Sequence, residues 1–180
     1  MSKKVLIISA SNRMHSNSDI LAQEVQKGAS DAGNDVELVN LKGKNIGFCQ
    51  GCLACQKTLK CVIKDDMNEL VEKVQKADVL VLATPIYYYE MSGQLKTFLD
   101  RCNPIYPTEY NFREVYLLAA SADDGPKTYD NAVNGLKGWI ICFSKARFAG
   151  LLAGGGINEP NEIRKHPDLL QRAYDLGKNI

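Results

Sequence analysis

Four apolar residues, Val5-Leu6-Ile7-Ile8, pass without a break into the polar stretch Ser9-Ala10-Ser11-Asn12-Arg13-Met14-His15-Ser16-Asn17-Ser18, and a helical pattern begins at once. The run is too short for a helix and is mostly β-branched or Leu, which predicts a strand buried on both faces. A strand of that kind needs helices above and below it, so it confines the chain to the doubly covered α/β folds. Ser16, Asn17 and Ser18 are candidate N-caps for a helix with Ile20, Leu21, Val25 and Ala29 on one stripe. Strand, polar loop and helix N-terminus together form the geometry that holds a phosphate. The first-turn N–H groups lack partners and the macrodipole is positive there. Hydroxyls and Arg13 can complete the anion's hydrogen bonds. The plainer reading is an ordinary capped connection between strand and helix.

The remaining pattern repeats the theme. Gly33-Asn34-Asp35 reads as a turn and Val36 to Leu41 as a second strand. Asp66 and Glu69 form a capping box ahead of a helix with Met67, Leu70, Val71 and Val74 on its stripe. Val79-Leu80-Val81-Leu82-Ala83 is the most continuous buried-strand signal, and Thr84-Pro85 is expected to end it. Ser92 caps a helix over Gly93 to Arg101, Val115 to Ala120 is a fourth strand, and a long helix is expected over Lys127 to Ser144. Arg147 to Ala153 is a weaker fifth strand, and His166-Pro167-Asp168 opens the last helix. Alternating strands and helices imply one domain over residues 1–180: a doubly wound, five-stranded parallel sheet in the order 2-1-3-4-5 with helices on both faces. Ligands of such sheets bind where the strand order reverses, beyond the C-terminal strand ends. Those ends are Ser9–Ser18, Thr84–Ser92 and Ala119–Asp124.

Composition removes several classes of function. A formal charge of +1 over 180 residues gives no electrostatic case for nucleic acid or an anionic membrane. No apolar run approaches the roughly 20 residues of a membrane helix. The opening Met1-Ser2-Lys3-Lys4, followed directly by a strand, is too brief for a signal peptide, so a cytoplasmic protein is expected. In that compartment the six cysteines are thiols, metal or cluster ligands, or redox groups rather than structural disulfides.

The second loop, Thr84-Pro85-Ile86-Tyr87-Tyr88-Tyr89-Glu90-Met91-Ser92, offers apolar and aromatic walls with backbone donors, which suits a flat heteroaromatic ring; the same tyrosines also suit a subunit contact. Ser121 in the third loop can reach the same ligand. Ala10 to Ser18 resembles the G-S-P-R-x-x-G-N-T phosphate loop of the NADPH-dependent FMN reductase family of the flavodoxin-like superfamily, with Ser11, Arg13, Asn17 and Ser18 matching. Pro85-Ile86-Tyr87, Met91-Ser92, Leu95-Lys96 and Asp100-Arg101 resemble that family's second signature. Ala10, Asn12 and Ser16 depart from the pattern, replacing glycine, proline and glycine. The resemblance covers nearly the whole chain. It implies bound FMN, with Ser11, Arg13, Ser16, Asn17 and Ser18 around the phosphate and Pro85, Ile86, Tyr87 and Tyr88 along the isoalloxazine, and Ser9 and Ser121 are also expected among the cofactor-binding residues. It also implies NAD(P)H as co-substrate and a homodimer or homotetramer. Met91 and Asp100-Arg101 read equally well as structural, the latter as a solvated or interface ion pair at a helix end.

Cys49, Cys52, Cys55 and Cys61 form C-x2-C-x2-C-x5-C. Two-residue gaps let neighbouring thiolates converge on an iron–sulfur cluster. The run and the Asp65-Asp66-Met67 after it resemble the iron–sulfur flavoproteins of the same family, which carry a [4Fe–4S] cluster, and also relatives that bind FMN alone. Zinc and a free redox dithiol remain open alternatives. Cys102 and Cys142 read as small core hydrophobes on helix stripes.

The resemblance therefore implies an oxidoreductase in which hydride passes from a nicotinamide through FMN to a quinone, flavin or similar small acceptor, with no catalytic acid or base assigned. With a cluster present, the expected partner is a ferredoxin-like protein. A flavin-binding redox sensor without turnover is the remaining alternative.

Overall fold

The computed structural model describes residues 2–180. In chain order the elements are β1 (Lys4–Ser9), α1 (Asn17–Asp31), β2 (Asp35–Asn40), α2 (Ala54–Thr58), α3 (Met67–Lys76), β3 (Val79–Tyr87) and β4 (Glu90–Met91). There follow α4 (Gly93–Arg101), β5 (Glu114–Ala120), α5 (Asp130–Ile140), β6 (Arg147–Gly154) and α6 (Pro167–Lys178). The five long strands are parallel and lie in the order β2-β1-β3-β5-β6, the expected topology. The addition is β4, which folds back antiparallel on the end of β3 through Ile86–Met91 and Tyr87–Glu90.

Alternation along each strand divides the core into two layers. Leu6, Ile8, Leu80, Leu82 and Leu117 pack with Leu70, Val74, Leu95, Phe98 and Leu136 of α3, α4 and α5. Val5, Ile7, Val79 and Val81 pack on the opposite side with Ile20, Leu21 and Val25 of α1 and with Leu169 and Ala173 of α6. The second layer is closed by a very tight crossing of α1 and α6. A Cβ at Gly28 would stand 2.0 Å from the Tyr174 carbonyl oxygen, and one at Gly177 would stand 2.1 Å from that of Val25.

Three local expectations change. β3 does not end at Thr84-Pro85 but continues to Tyr87, with Pro85 opposite Ala120 of β5. The proline's missing N–H faces the side where β1 has stopped, its last pair being Ser9–Ala83, so no ladder bond is lost. The helix expected over Lys127 to Ser144 is only Asp130–Ile140. The chain turns after it so that Phe143 can enter an aromatic cluster with Tyr110, Phe112 and Trp139, which leaves Cys142 exposed rather than in the core. Cys102 is buried as expected, and burial pushes its thiol pKa up. The capping box at α3 does not form. Asp66 Oδ2 accepts from the Asn45 amide at 2.7 Å, while Asp65 Oδ1 accepts from the Met67 amide at 3.1 Å.

Asp65 also answers the question of Arg101. The arginine is not a solvated partner of Asp100, which is exposed and pairs with Lys96. Its guanidinium is 1% exposed and forms a two-pronged pair with Asp65, Nη1 to Oδ2 at 2.7 Å and Nη2 to Oδ1 at 2.9 Å. Nη1 also donates to the Gly47 carbonyl at 2.6 Å, and the Gly47 amide donates to Asp65 Oδ2 at 2.8 Å. Gly47 precedes the cysteine run and Asp65 follows it, so one buried ion pair fastens both ends of that loop to the end of α4. Burial opposes ionisation of Asp65, but Arg101 and the Gly47 and Met67 amides outweigh it and hold the carboxyl below its usual range.

Two outcomes follow from this packing. Gly177→Ala should lose about 1–3 kcal/mol of stability, because backbone cannot retreat on either side of the crossing. Gly138→Ala, with nothing within 4 Å of the added carbon, should be neutral or slightly stabilising in the same thermal melts. Asp65→Asn should lose about 3–5 kcal/mol at neutral pH by stranding a buried guanidinium. The wild-type carboxylate has a folded pKa below its unfolded value of 3.8, so its contribution is complete above about pH 5 and disappears as pH falls through the folded value. Denaturant midpoints of the two proteins should therefore converge on acidification.

Candidate functional site

The C-terminal ends of β1, β3 and β5 meet at a cleft of about 300 Å³. Its lining includes Ser11, Arg13, Ser16, Asn17 and Ser18 from the first loop, Pro85, Ile86, Tyr87 and Tyr88 from the second, and Ser121 from the third. The structure thus brings together every expected cofactor residue except Ser9. That serine is fully buried within β1 on the strand face of Val5 and Ile7, and its hydroxyl has no hydrogen-bond partner. Tyr89 also stays off the lining.

One floor of the cleft is the N-terminus of α1. Ser16 is the N-cap, with extended backbone, yet no side chain caps the first turn. The Ser16 and Ser18 hydroxyls lie 3.1 Å apart and share one hydrogen, which leaves the other free to donate outward. Ser11 Oγ accepts from the Arg13 amide at 3.3 Å and keeps its own hydrogen. The first-turn amides and these hydroxyls form a donor-rich, anion-seeking surface.

Two matched residues have other duties. Asn17 Nδ2 donates to the Glu159 carbonyl at 2.9 Å, and its Oδ1 accepts from the Ile163 amide at 3.1 Å. The side chain therefore holds a strap, residues 157–163, against the first loop, with one amide hydrogen and one oxygen lone pair already engaged. Asn161 N–H donates to the His15 carbonyl and Arg13 to that of Asn158, which closes the strap further. Ser121 is likewise committed. Its amide donates to Gly154, its carbonyl accepts from Ile157, and its hydroxyl donates to the Asp123 carbonyl at 2.6 Å. Tyr129 Oη lies 2.7 Å from the same hydroxyl and so is the donor of that pair. Burial raises the Tyr129 pKa despite the Ser121 hydrogen bond, which keeps the phenol protonated. Ile157 and Asn158 line the cleft without any sequence signal, because a loop 140 residues further along reaches it only through the fold.

The opposite wall is a strained hairpin. Tyr88 and Tyr89, between β3 and β4, have φ of 50° and 64°, the left-handed region that two-residue hairpin turns require and that glycine or asparagine usually fills. Tyr88 is 100% exposed. The hairpin is rooted by buried hydroxyls. The Ser92 amide donates to Thr84 Oγ1 at 2.9 Å, and Ser92 Oγ donates to the Ala10 carbonyl at 3.3 Å while accepting from Leu95 at the start of α4. The first loop and the aromatic wall are thereby tied to each other.

The cysteine run forms a second, smaller pocket. Cys49, Cys52, Cys55 and Cys61 all line it, together with Arg101 and Asn103. Cys49 and Cys52 are exposed, Cys55 is buried and Cys61 is half-buried. Among the described residues, no group of three His, Cys, Asp or Glu side chains is arranged to hold a single metal ion. The pocket is lined by Asp100 and Arg101 at the C-terminal end of α4, whose N-cap Ser92 bonds the Ala10 carbonyl behind the first loop.

Comparison with known proteins agrees with this layout. The sequence profile of the NADPH-dependent FMN reductase family matches residues 3–150. An iron-sulfur flavoprotein of Archaeoglobus fulgidus is 37% identical over 182 aligned positions, which cover 98% of this chain and 78% of that protein. An iron-sulfur flavoprotein of Methanocaldococcus jannaschii is 35% identical over 183 positions, covering 98% and 95%. Among solved structures, an NAD(P)H:quinone oxidoreductase from Methanothermobacter marburgensis shares the fold, with a TM-score of 0.74 at 18% identity over 99% of this chain and 97% of that one. The profile runs through the first loop, the aromatic hairpin and the strands that carry them, and the chain belongs to the NADPH-dependent FMN reductase family of flavodoxin-like oxidoreductases.

Proposed function

We propose that this protein is an FMN-dependent NAD(P)H oxidoreductase that delivers electrons to a small acceptor such as a quinone or a flavin. The observation that carries this reading is an uncapped helix N-terminus opening into a cleft whose other wall is apolar and aromatic. An anionic tail and a flat ring are the two halves of FMN. The first-turn amides of α1, with Ser11, Ser16, Ser18 and Arg13, hold the phosphate. Pro85, Ile86 and Tyr87 would line the ring, and the exposed Tyr87–Tyr88 rim borders the opening by which NAD(P)H and the acceptor would enter. Bound FMN supplies hydride acceptance and onward electron transfer, while the protein supplies position and shields the site. No side chain of the cleft is assigned as acid or base. Exposed Tyr88, Phe48 and Leu59 support assembly as a homodimer or homotetramer.

A second reading adds an iron–sulfur centre on Cys49, Cys52, Cys55 and Cys61, with a ferredoxin-like redox partner. It is favoured by four thiols lining one pocket beside a buried arginine Nε that has no partner. A cubane centre spreads its four thiolates more widely than a single ion does, so the failure of three ligands to converge does not count against it.

Ser16→Asp tests the phosphate assignment without threatening the fold, since aspartate is itself a good N-cap. The variant should melt no lower than wild type and bind FMN roughly a hundredfold more weakly, about 2.7 kcal/mol, while riboflavin affinity changes little. Equal loss for both ligands would remove the phosphate from this end of α1. Purified protein loaded with FMN should oxidise NADPH in the presence of a quinone. A protein that holds FMN without such turnover is a sensor, and the enzyme reading fails.

A further inference from the structure

The cysteine pocket contains hydrogen-bond donors that face sulfur. Asn103 Nδ2 donates to Cys55 Sγ at 3.1 Å. Arg101 commits both terminal nitrogens to Asp65 and the Gly47 carbonyl, and its buried Nε–H has no acceptor. An unpaired N–H in a side chain 1% exposed is rare and costly, and it calls for an acceptor that arrives with a ligand. Cys61 lies beside the same guanidinium and lines the same pocket. Both donors come from one rigid corner. Arg101 is clamped by Asp65, Trp139 Nε1 donates to the Leu99 carbonyl at 3.1 Å, and residues 103–105 form a single 3₁₀ turn.

We propose that Asn103 and Arg101 are positioning residues for a sulfur-ligated metal centre on the four cysteines, donating N–H···S hydrogen bonds at Cys55 and on the Cys61 side. The proposal rests on the iron–sulfur reading above. Ligand-free thiols gain little from such donors, whereas the sulfurs of a cluster carry more negative charge after each electron is accepted. Donors aimed at them stabilise the reduced form and raise the reduction potential. The two positions divide the work. Asn103 is half-buried, and its side chain bonds only to Cys55, so it acts on the centre alone. Arg101 also anchors the loop.

The full chain, reconstituted anaerobically with ferrous iron and sulfide, provides the test. Iron and acid-labile sulfide are counted per chain, and dithionite-driven titration gives the potentials of cluster and flavin in one sample. Wild type should take up about four of each. Asn103→Ala should load equally and show a more negative cluster potential, and Asn103→Asp, which sets a carboxylate against Cys55, a still more negative one. The flavin potential should not move in either. Arg101→Lys should shift the cluster the same way if it folds, and the Asn103 pair decides the matter if it does not. Full loading with an unchanged cluster potential in both Asn103 variants overturns the donor assignment and leaves the cluster standing. Wild type that binds neither iron nor sulfide overturns both.

Discussion

The sheet is buried on both faces, and almost everything else in the molecule is a consequence. Alternate residues of β1 and β3 feed separate apolar layers, so neither face can carry polar machinery. Chemistry is confined to the strand ends, where three loops converge around the N-terminus of α1. The same burial makes the helices rigid platforms. Where α1 and α6 cross, two glycines let backbone meet backbone, so the first loop leads into a closely packed helix.

The two sites are held by different physics. At the cleft, backbone and hydroxyl hydrogen bonds join the phosphate loop, the hairpin and the strap of residues 157–163, and the tyrosine pair stores strain in its turn. At the cysteine pocket a buried ion pair does the fastening, because the loop's large apolar side chains Phe48, Leu53, Leu59 and Val62 are exposed and supply little packing. A charge pair in that position favours one arrangement over many, while contributing less to net stability than its geometry implies. α4 joins the two, with its cap at the cleft and its last arginine at the thiols.

Local pattern was sufficient wherever a residue's role depends on its neighbours in sequence. The apolar runs fixed the strands, Ser92 was readable as a cap, and the alternation of elements gave the strand order. Most of the residues expected around a ligand line one cleft, because the first loop is one continuous stretch beside one helix start. What failed locally failed for a tertiary reason. Pro85 stays in β3 because its neighbour strand has ended, Asp66 turns to Asn45 instead of its own helix, and Phe143 leaves α5 for an aromatic cluster.

By itself, then, the sequence determined a doubly wound sheet, a polar loop ending at a helix start, an aromatic loop and a compact set of thiols. Each of those follows from periodicity, capping chemistry or spacing within a short window. Only the tertiary structure decided that Asn17 and Ser121 serve the loops around the cleft more than a ligand, that Ser9 lies beneath it, and that Arg101 belongs with Asp65. Those roles depend on partners as many as 146 residues away, and hydrogen-bond capacity spent on one partner is lost to another. The opening loop presents its remaining donors to the cleft, the others being engaged by residues far along the chain.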